Sequence, residues 1–252
     1  TTPWSKVTAE FPSISQKRLR GRLSWSEAIP DMSNSTVATK DVVRTYYSYD
    51  PHGNKEWEVI DIPVTEDVEG PSSPRLIKRT EYTYDHTLGV IADVKYQRGK
   101  PDQFHHTYRF DPMGRLDSVL TSRDTIHWKR DASYAYYLHG PLKRIELGED
   151  RVQGVDYVYT ILGSLKAINS PTITRESDPG NDGVAGSGRT QVGKDVFGMG
   201  LAYHVGDYKK TISGVATPST WNAVGMPRTD MGGADLSLYG GLIGGVTSKT
   251  QQ

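Results

Sequence analysis

Cysteine is absent from the 252 residues. That excludes a disulfide framework, thiolate metal sites and a cysteine nucleophile. Phenylalanine is scarce, at four residues, and the apolar share is only 35 %, low for a globular chain. No run approaches the roughly 18 apolar residues of a membrane-crossing helix, so no membrane span is expected. Excess charge is missing too, because 30 basic and 30 acidic residues cancel. Without a net field, neither nucleic acid nor an anionic membrane is an expected partner. No GxSxG, P-loop, GxGxxG or HExxH motif occurs. No catalytic residue, cofactor or metal centre is therefore assigned from sequence.

What is abundant is tyrosine, at 15 residues, together with 26 glycines and 14 prolines. Tyrosine suits half-buried positions, where the ring packs and the hydroxyl reaches a polar partner. The glycine and proline imply many turns.

These residues are not scattered. Tyr47 and Tyr49 precede Gly53, and Tyr108 and Phe110 precede Gly114. Tyr134 and Tyr136 precede Gly140, and Tyr157 and Tyr159 precede Gly163. Tyr82 and Tyr84 precede Gly89 with one extra residue. The pattern is Tyr-x-aromatic-x3-Gly, and successive glycines lie 36, 25, 26 and 23 residues apart. A period of this order marks a repeat architecture. Residues i and i+2 of a strand face the same side, so each pair makes an aromatic stripe, expected to be the packing face. Asp50-Pro51-His52-Gly53 and Asp111-Pro112-Met113-Gly114 fit a type I turn: Asp bonds backbone N–H groups, Pro presets φ, and Gly tolerates φ > 0. Tyr137 and Thr160 replace that Asp in the last two copies, as a turn-former could be replaced but a catalytic Asp could not. Leu or Ile follows two after the Gly (Ile91, Leu116, Leu142, Leu165), then Val or Ile three further on (Val94, Val119, Ile145, Ile168). Three is not a strand period. Either a bulge intervenes or the two positions face opposite sides. The first copy breaks this rule with Trp57 and Val59.

The expected fold is all-β: tandem β-hairpins in one curved antiparallel sheet. Residues 1–40 read as an N-terminal strand pair around Gly21 plus a linker, 41–177 as the repeats, and 178–194 as a Gly/Asp-rich loop. Residues 195–252 read as further strands and an irregular segment. Arg18, Arg20 and Arg22 are expected on one strand face.

Several sharper readings compete with plain structure. Asp178 to Gly183 faintly resembles a calcium loop, but Gly180 stands at a ligand place. Glu146, Glu149 and Asp150 cluster, yet a glycosidase pair needs about 5 to 10 Å and a cleft. Seven histidines show no ligand spacing. The aromatic stripe of Tyr47, Tyr49, Tyr82, Tyr84, Tyr108 and Phe110 is a candidate for stacking on glycans, while Asp50, Pro51, Gly53, Gly89, Asp111, Pro112, Gly114, Gly140 and Gly163 are structural turn residues.

Tandem Tyr-x-Tyr-Asp-x-x-Gly resembles the YD-repeat, or Rhs-repeat, family, of the type found in Bacteroidetes. The likeness spans roughly residues 41–246 and is densest over 82–169. It implies a β-sheet strip spiralling into a shell that encloses or presents a C-terminal toxin or effector domain. It also implies a large exported protein, secreted or at the cell surface. The partners so implied are the rest of a longer chain and the enclosed domain; export machinery is a separate candidate to which no residue points. The start without Met fits a piece of something longer. The family often carries a self-cleaving core with a DPxGLxGG-like sequence; here Gly114 is followed by Arg115 and Leu116, so no cleavage residue is assigned.

Overall fold

The computed structural model describes residues 3–28, 42–63, 75–170, 173, 178–203, 243 and 245–250. His204 and much of the further strands and irregular segment expected over 195–252 lie outside them. One helix, α1 (Pro3–Glu10), precedes thirteen strands: β1 (Trp25–Ala28), β2 (Val43–Tyr49), β3 (Lys55–Pro63), β4 (Arg75–Asp85), β5 (Val90–Tyr96), β6 (Phe104–Phe110), β7 (Leu116–Ser122), β8 (Lys129–Tyr136), β9 (Leu142–Leu147), β10 (Gln153–Tyr159), β11 (Leu165–Ile168), β12 (Phe197–Ala202) and β13 (Gly245–Thr250). They form one sheet in strict sequence order. Among the described residues no helix is long and apolar enough to cross a membrane. The chain divides into two compact units, Thr1–Gly114 with Leu120–Trp128, and Arg115–Val119 with Lys129–Gln252.

All five repeat glycines sit between consecutive strands with positive φ, from +70° at Gly89 to +112° at Gly140. In four turns the Gly N–H donates to the carbonyl three residues back, that of Asp50, Asp111, Tyr137 or Thr160. In the longer second turn it reaches four back, to Asp85. The corner side chain caps the same turn. Asp50 Oδ1 accepts from the Asn54 N–H, Asp85 Oδ1 from Thr87, and Asp111 Oδ1 from Met113. Thr160 does this with its hydroxyl, which accepts from Ser164 N–H at 3.0 Å. A threonine supplies the capping oxygen as an aspartate does, while the fourth turn closes with Tyr137 at this position, its Oη donating to the Tyr157 carbonyl instead.

A bulge follows each of the four turns whose pairing is described. Tyr49 pairs with Lys55 while Ser48 pairs with Trp57, so Glu56 is extra. Ala92, Lys143 and Lys166 are the extra residues in the later copies. Each stands three after its glycine. The bulge explains the spacing of three: with one residue bulged out, positions two and five after Gly lie opposite the second and first aromatics. Tyr84 pairs with Ile91 and Tyr82 with Val94; Tyr136 pairs with Leu142 and Tyr134 with Ile145. Such aromatic–aliphatic cross-strand pairs stabilise a sheet by roughly 0.2–1 kcal/mol each.

The deepest burial lies elsewhere than the sequence pattern indicates. In the first unit Tyr46, Trp57 and Val59 are buried with Val7, Phe11 and Ile14, and Trp4 and Ile77 pack on them. Tyr46 pairs with Val59, and Ser48 with Trp57, on the face opposite Tyr47 and Tyr49, whose stripe is only half-buried. The cover is α1, where a helix was not expected. Pro3 occupies its first position, where a missing N–H costs nothing. Trp4, Val7 and Phe11 then fall on one side at helical spacing. Of the expected strand pair around Gly21, only the second strand is present, as β1 from Trp25. Gly21 does form a turn (φ +72°), but 17–24 is not a strand. Gln16 and Lys17 instead bond the backbone and Ser48 hydroxyl of β2. Arg18 adopts φ +55°, so Arg18, Arg20 and Arg22 share no strand face.

Because Gly89 has φ +70° and open space around it, Gly89→Ala should cost about 1–2 kcal/mol through backbone strain alone. Gly89→Asn should cost less, since Asn tolerates this region. Urea unfolding of both variants checks the order; equal stability of wild type and Gly89→Ala would contradict it.

Candidate functional site

The aromatic stripe is held from within. Tyr49 Oη donates to the Leu23 carbonyl at 2.9 Å and Tyr84 Oη to that of Lys55 at 3.1 Å. Tyr136 Oη donates to Leu116 at 2.8 Å and Tyr203 Oη to Leu165 at 2.6 Å. Each acceptor stands two residues after a turn glycine, and each donor belongs to the next hairpin. Lys55 and Leu165 are the residues at which the register shifts, where a bulge disrupts the ladder. Two of these bonds, those of Tyr84 and Tyr136, tie one repeat to the backbone at the corner of the one before. Tyr47 shares a hydrogen bond with Ser26, and Tyr82 donates to Glu58 at 2.8 Å. Burial first, then the Glu58 carboxylate, pushes the Tyr82 phenol well above its ordinary value. Lys55 Nζ lies over both the Tyr47 and Tyr82 rings. Tyr108 stacks on His106, with ring centroids 6.3 Å apart. Phe110 lacks a hydroxyl and is half-buried.

A second cluster, in the other unit, went unread in the sequence. Arg144 on β9 pairs with Asp156 on β10 across the ladder. Its guanidinium, 2 % exposed, bonds Asp156, Asp182 at 2.6 Å and Glu146 at 3.0 Å. The segment carrying Asp178 and Asp182 covers this strand face. Asp178 shapes it, because its carboxylate accepts from the Gly180 and Asp182 N–H groups at 2.8 and 2.5 Å. Arg189 donates to the Gly180 carbonyl and lies 3.6 Å from Glu146. The residues of the supposed calcium loop thus cap a turn and pair with an arginine. Glu146 of the acidic trio belongs to this network, while Glu149 and Asp150 line an open depression of about 570 Å³ with Arg130, Arg151 and Arg189.

Gly154 and Gly180 make the close approach possible. A Cβ at Gly154 would overlap Arg144 and Asp182, and one at Gly180 would overlap Arg144 and Asp156. Glycine inside a strand, as in QGVDY, was the available sign of such an approach. Nothing in the spacing of residues 144, 156, 182 and 195 pointed to it.

The charges do not balance. Asp195 is buried, and neither carboxylate oxygen has a hydrogen-bond partner among the described residues. Burial first, then the negative charges of Asp178, Asp182 and Asp156, push its carboxyl up to about 8. Asp156 rises to about 6, mainly by burial, with Arg144 opposing. Burial alone would lower the Arg144 guanidinium, but its bonds to Asp182 and the nearby carboxylates outweigh that and raise it.

His105 is fully buried and His106 half-buried on β6, on opposite faces. Burial first, then Lys95 and Arg98, lowers the His105 imidazole.

No family model matches the chain, and no curated protein matches it. Among solved structures, it is similar to the crystal structure of TcdB2-TccC3 without its hypervariable C-terminal region, at 16 % identity over 64 % of this chain, with a TM-score of 0.44. It is similar, again at 16 % identity over 64 %, to the Photorhabdus luminescens Tc holotoxin pore with a TccC3-D651A mutation, with a TM-score of 0.45. The chain spans 7 % of the length of each. Both scores are too low to carry an argument about what this chain does.

Two outcomes follow from the hydroxyl bonds and the buried acids. Tyr136→Phe should cost about 0.5–1.5 kcal/mol, the worth of one hydrogen bond, read as a lower urea midpoint. For Asp195, the folded carboxyl holds a proton up to about pH 8 while the unfolded one releases it near 4. The folded state binds more protons across that window, so stability falls as pH rises through it. Asp195→Asn should melt higher than wild type at pH 8, by about 1 kcal/mol or more, with a flatter profile between pH 5 and 8. A wild-type profile that rises over that range would refute this.

Proposed function

We propose that the chain is a length of wall in a large exported Rhs-type shell, which encloses or presents another domain. The observation that supports this most is the repeated corner: a positive-φ glycine turn in all five copies and a bulge in the four whose pairing is described. Such a unit adds strands in sequence order without limit, as an enclosing sheet requires. In this reading the chain's own continuation is its first partner, the enclosed domain its second and export machinery its third. The setting is secreted or at the cell surface. Equal numbers of acids and bases keep the wall from gripping charged cargo.

The wall is read as non-catalytic. The group nearest to a catalytic carboxyl is Asp195, and the acids beside it serve Arg144 and turn backbone. Purified chain incubated at pH 5 and pH 8 should keep its intact mass; a discrete cleavage product would overturn the non-catalytic reading.

A wall segment ends in sheet edges that invite further strands. The 252-residue chain should therefore self-associate with rising concentration in sedimentation velocity, and should do so less when extended by its own flanking sequence. A sharply melting monomer at all concentrations would overturn the wall reading.

A further inference from the structure

We propose that Asp50, His52 and His86 form a surface site for a late first-row divalent cation such as Zn²⁺. Sequence spacing shows no ligand motif, because the three residues come from two different repeats. The register unites them. β3 pairs with β4, which sets the turn after β2 beside the turn after β4. His52 is the third residue of the first turn, and His86 follows Asp85 at the start of the second.

The geometry is that of an open three-donor set. One ligand atom from each residue lies within 4.8 Å of the others. The two imidazole rings have centroids 4.6 Å apart, and His52 Nδ1 stands 4.0 Å from Asp50 Oδ2. Donors around a tetrahedral zinc at roughly 2.1 Å are about 3.4 Å from each other. Closing to that distance needs only rotation of exposed rings, since the His52 side chain is 63 % exposed and His86 is exposed. The carboxylate is the fixed member. Asn54 anchors it through its backbone N–H at 2.9 Å and its side-chain amide at 3.1 Å. The backbone N–H groups of Gly53 and His52 also bond this carboxylate and hold it in the turn. Oδ1 caps the turn, while Oδ2, which accepts from the Asn54 side-chain amide, is the oxygen that faces His52 Nδ1.

Two imidazole nitrogens in a set of three favour zinc, nickel or copper over calcium or magnesium, which prefer oxygen. The fourth position opens to solvent, so the site binds a metal that keeps one exchangeable water. The third turn carries Met113 where the first carries His52, and the fourth carries His139, whose ring stacks on Tyr137. His139 is therefore the internal control.

The test is calorimetric titration of the untagged chain with Zn²⁺, supported by the visible spectrum with Co²⁺. One equivalent is expected per chain, together with tetrahedral Co²⁺ bands. His52→Ala and His86→Ala should each weaken Zn²⁺ binding about tenfold or more, while His139→Ala leaves it unchanged. Metal-free melting should be the same in all four proteins, because the substituted rings are exposed; this separates loss of a ligand from loss of fold. Absence of a one-equivalent site, or binding within about twofold of wild type in either His52→Ala or His86→Ala, would overturn the proposal.

Discussion

The structure depends on one backbone constraint. After every repeat glycine the chain leaves a left-handed corner, and in the four hairpins whose pairing is described it bulges at the third residue on. That bulge sets the register of the hairpin and so decides which side chains meet. It puts Val94 opposite Tyr82 and Ile91 opposite Tyr84, though they are an odd number of residues apart. A slip of one residue would send all of these to the other face. The bulge also disrupts the ladder at the residue two after glycine, where the tyrosine of the next hairpin brings a donor. Phenylalanine fills the same position without that bond, as Phe110 does in the third copy.

The strand face opposite the tyrosines is covered in two physically different ways. In the first unit the cover is apolar: α1 buries Val7 and Trp4 against Tyr46, Trp57 and Val59. Full burial of such side chains contributes about 1.5–3 kcal/mol apiece. In the second unit the cover is ionic, with Arg144 bonded to three carboxylates beneath the segment containing Asp178 and Asp182. Buried ion pairs add little net stability, because desolvation offsets attraction, but losing one partner is severe. The second cover therefore specifies where the segment sits more than it strengthens the fold. Two glycines, Gly154 and Gly180, leave room for it.

Legibility followed the range of the interactions. The five turns and the strands beside them were readable because Asp, Pro, Gly and alternating aromatics act on neighbours in the chain. The spacing of three after each glycine was visible as an anomaly, and only the pairing showed that a bulge was its cause. Helix α1 was missed because eight residues carry little periodic signal. Of the pair expected around Gly21 the first strand failed because its basic residues were read for alternation, whereas Arg18 turns the chain and residues 16–17 bond β2 instead.

The amino-acid order by itself determined the hairpins, their period and the all-β class, since each corner is encoded within about seven residues and needs no distant partner. Only the tertiary structure decided which face is buried and which charges meet. Arg144 and Asp182 are 38 residues apart, and His52 and His86 belong to separate repeats. Such pairs are set by register across strands and by what packs on the sheet. A one-dimensional sequence holds no local record of those long-range choices.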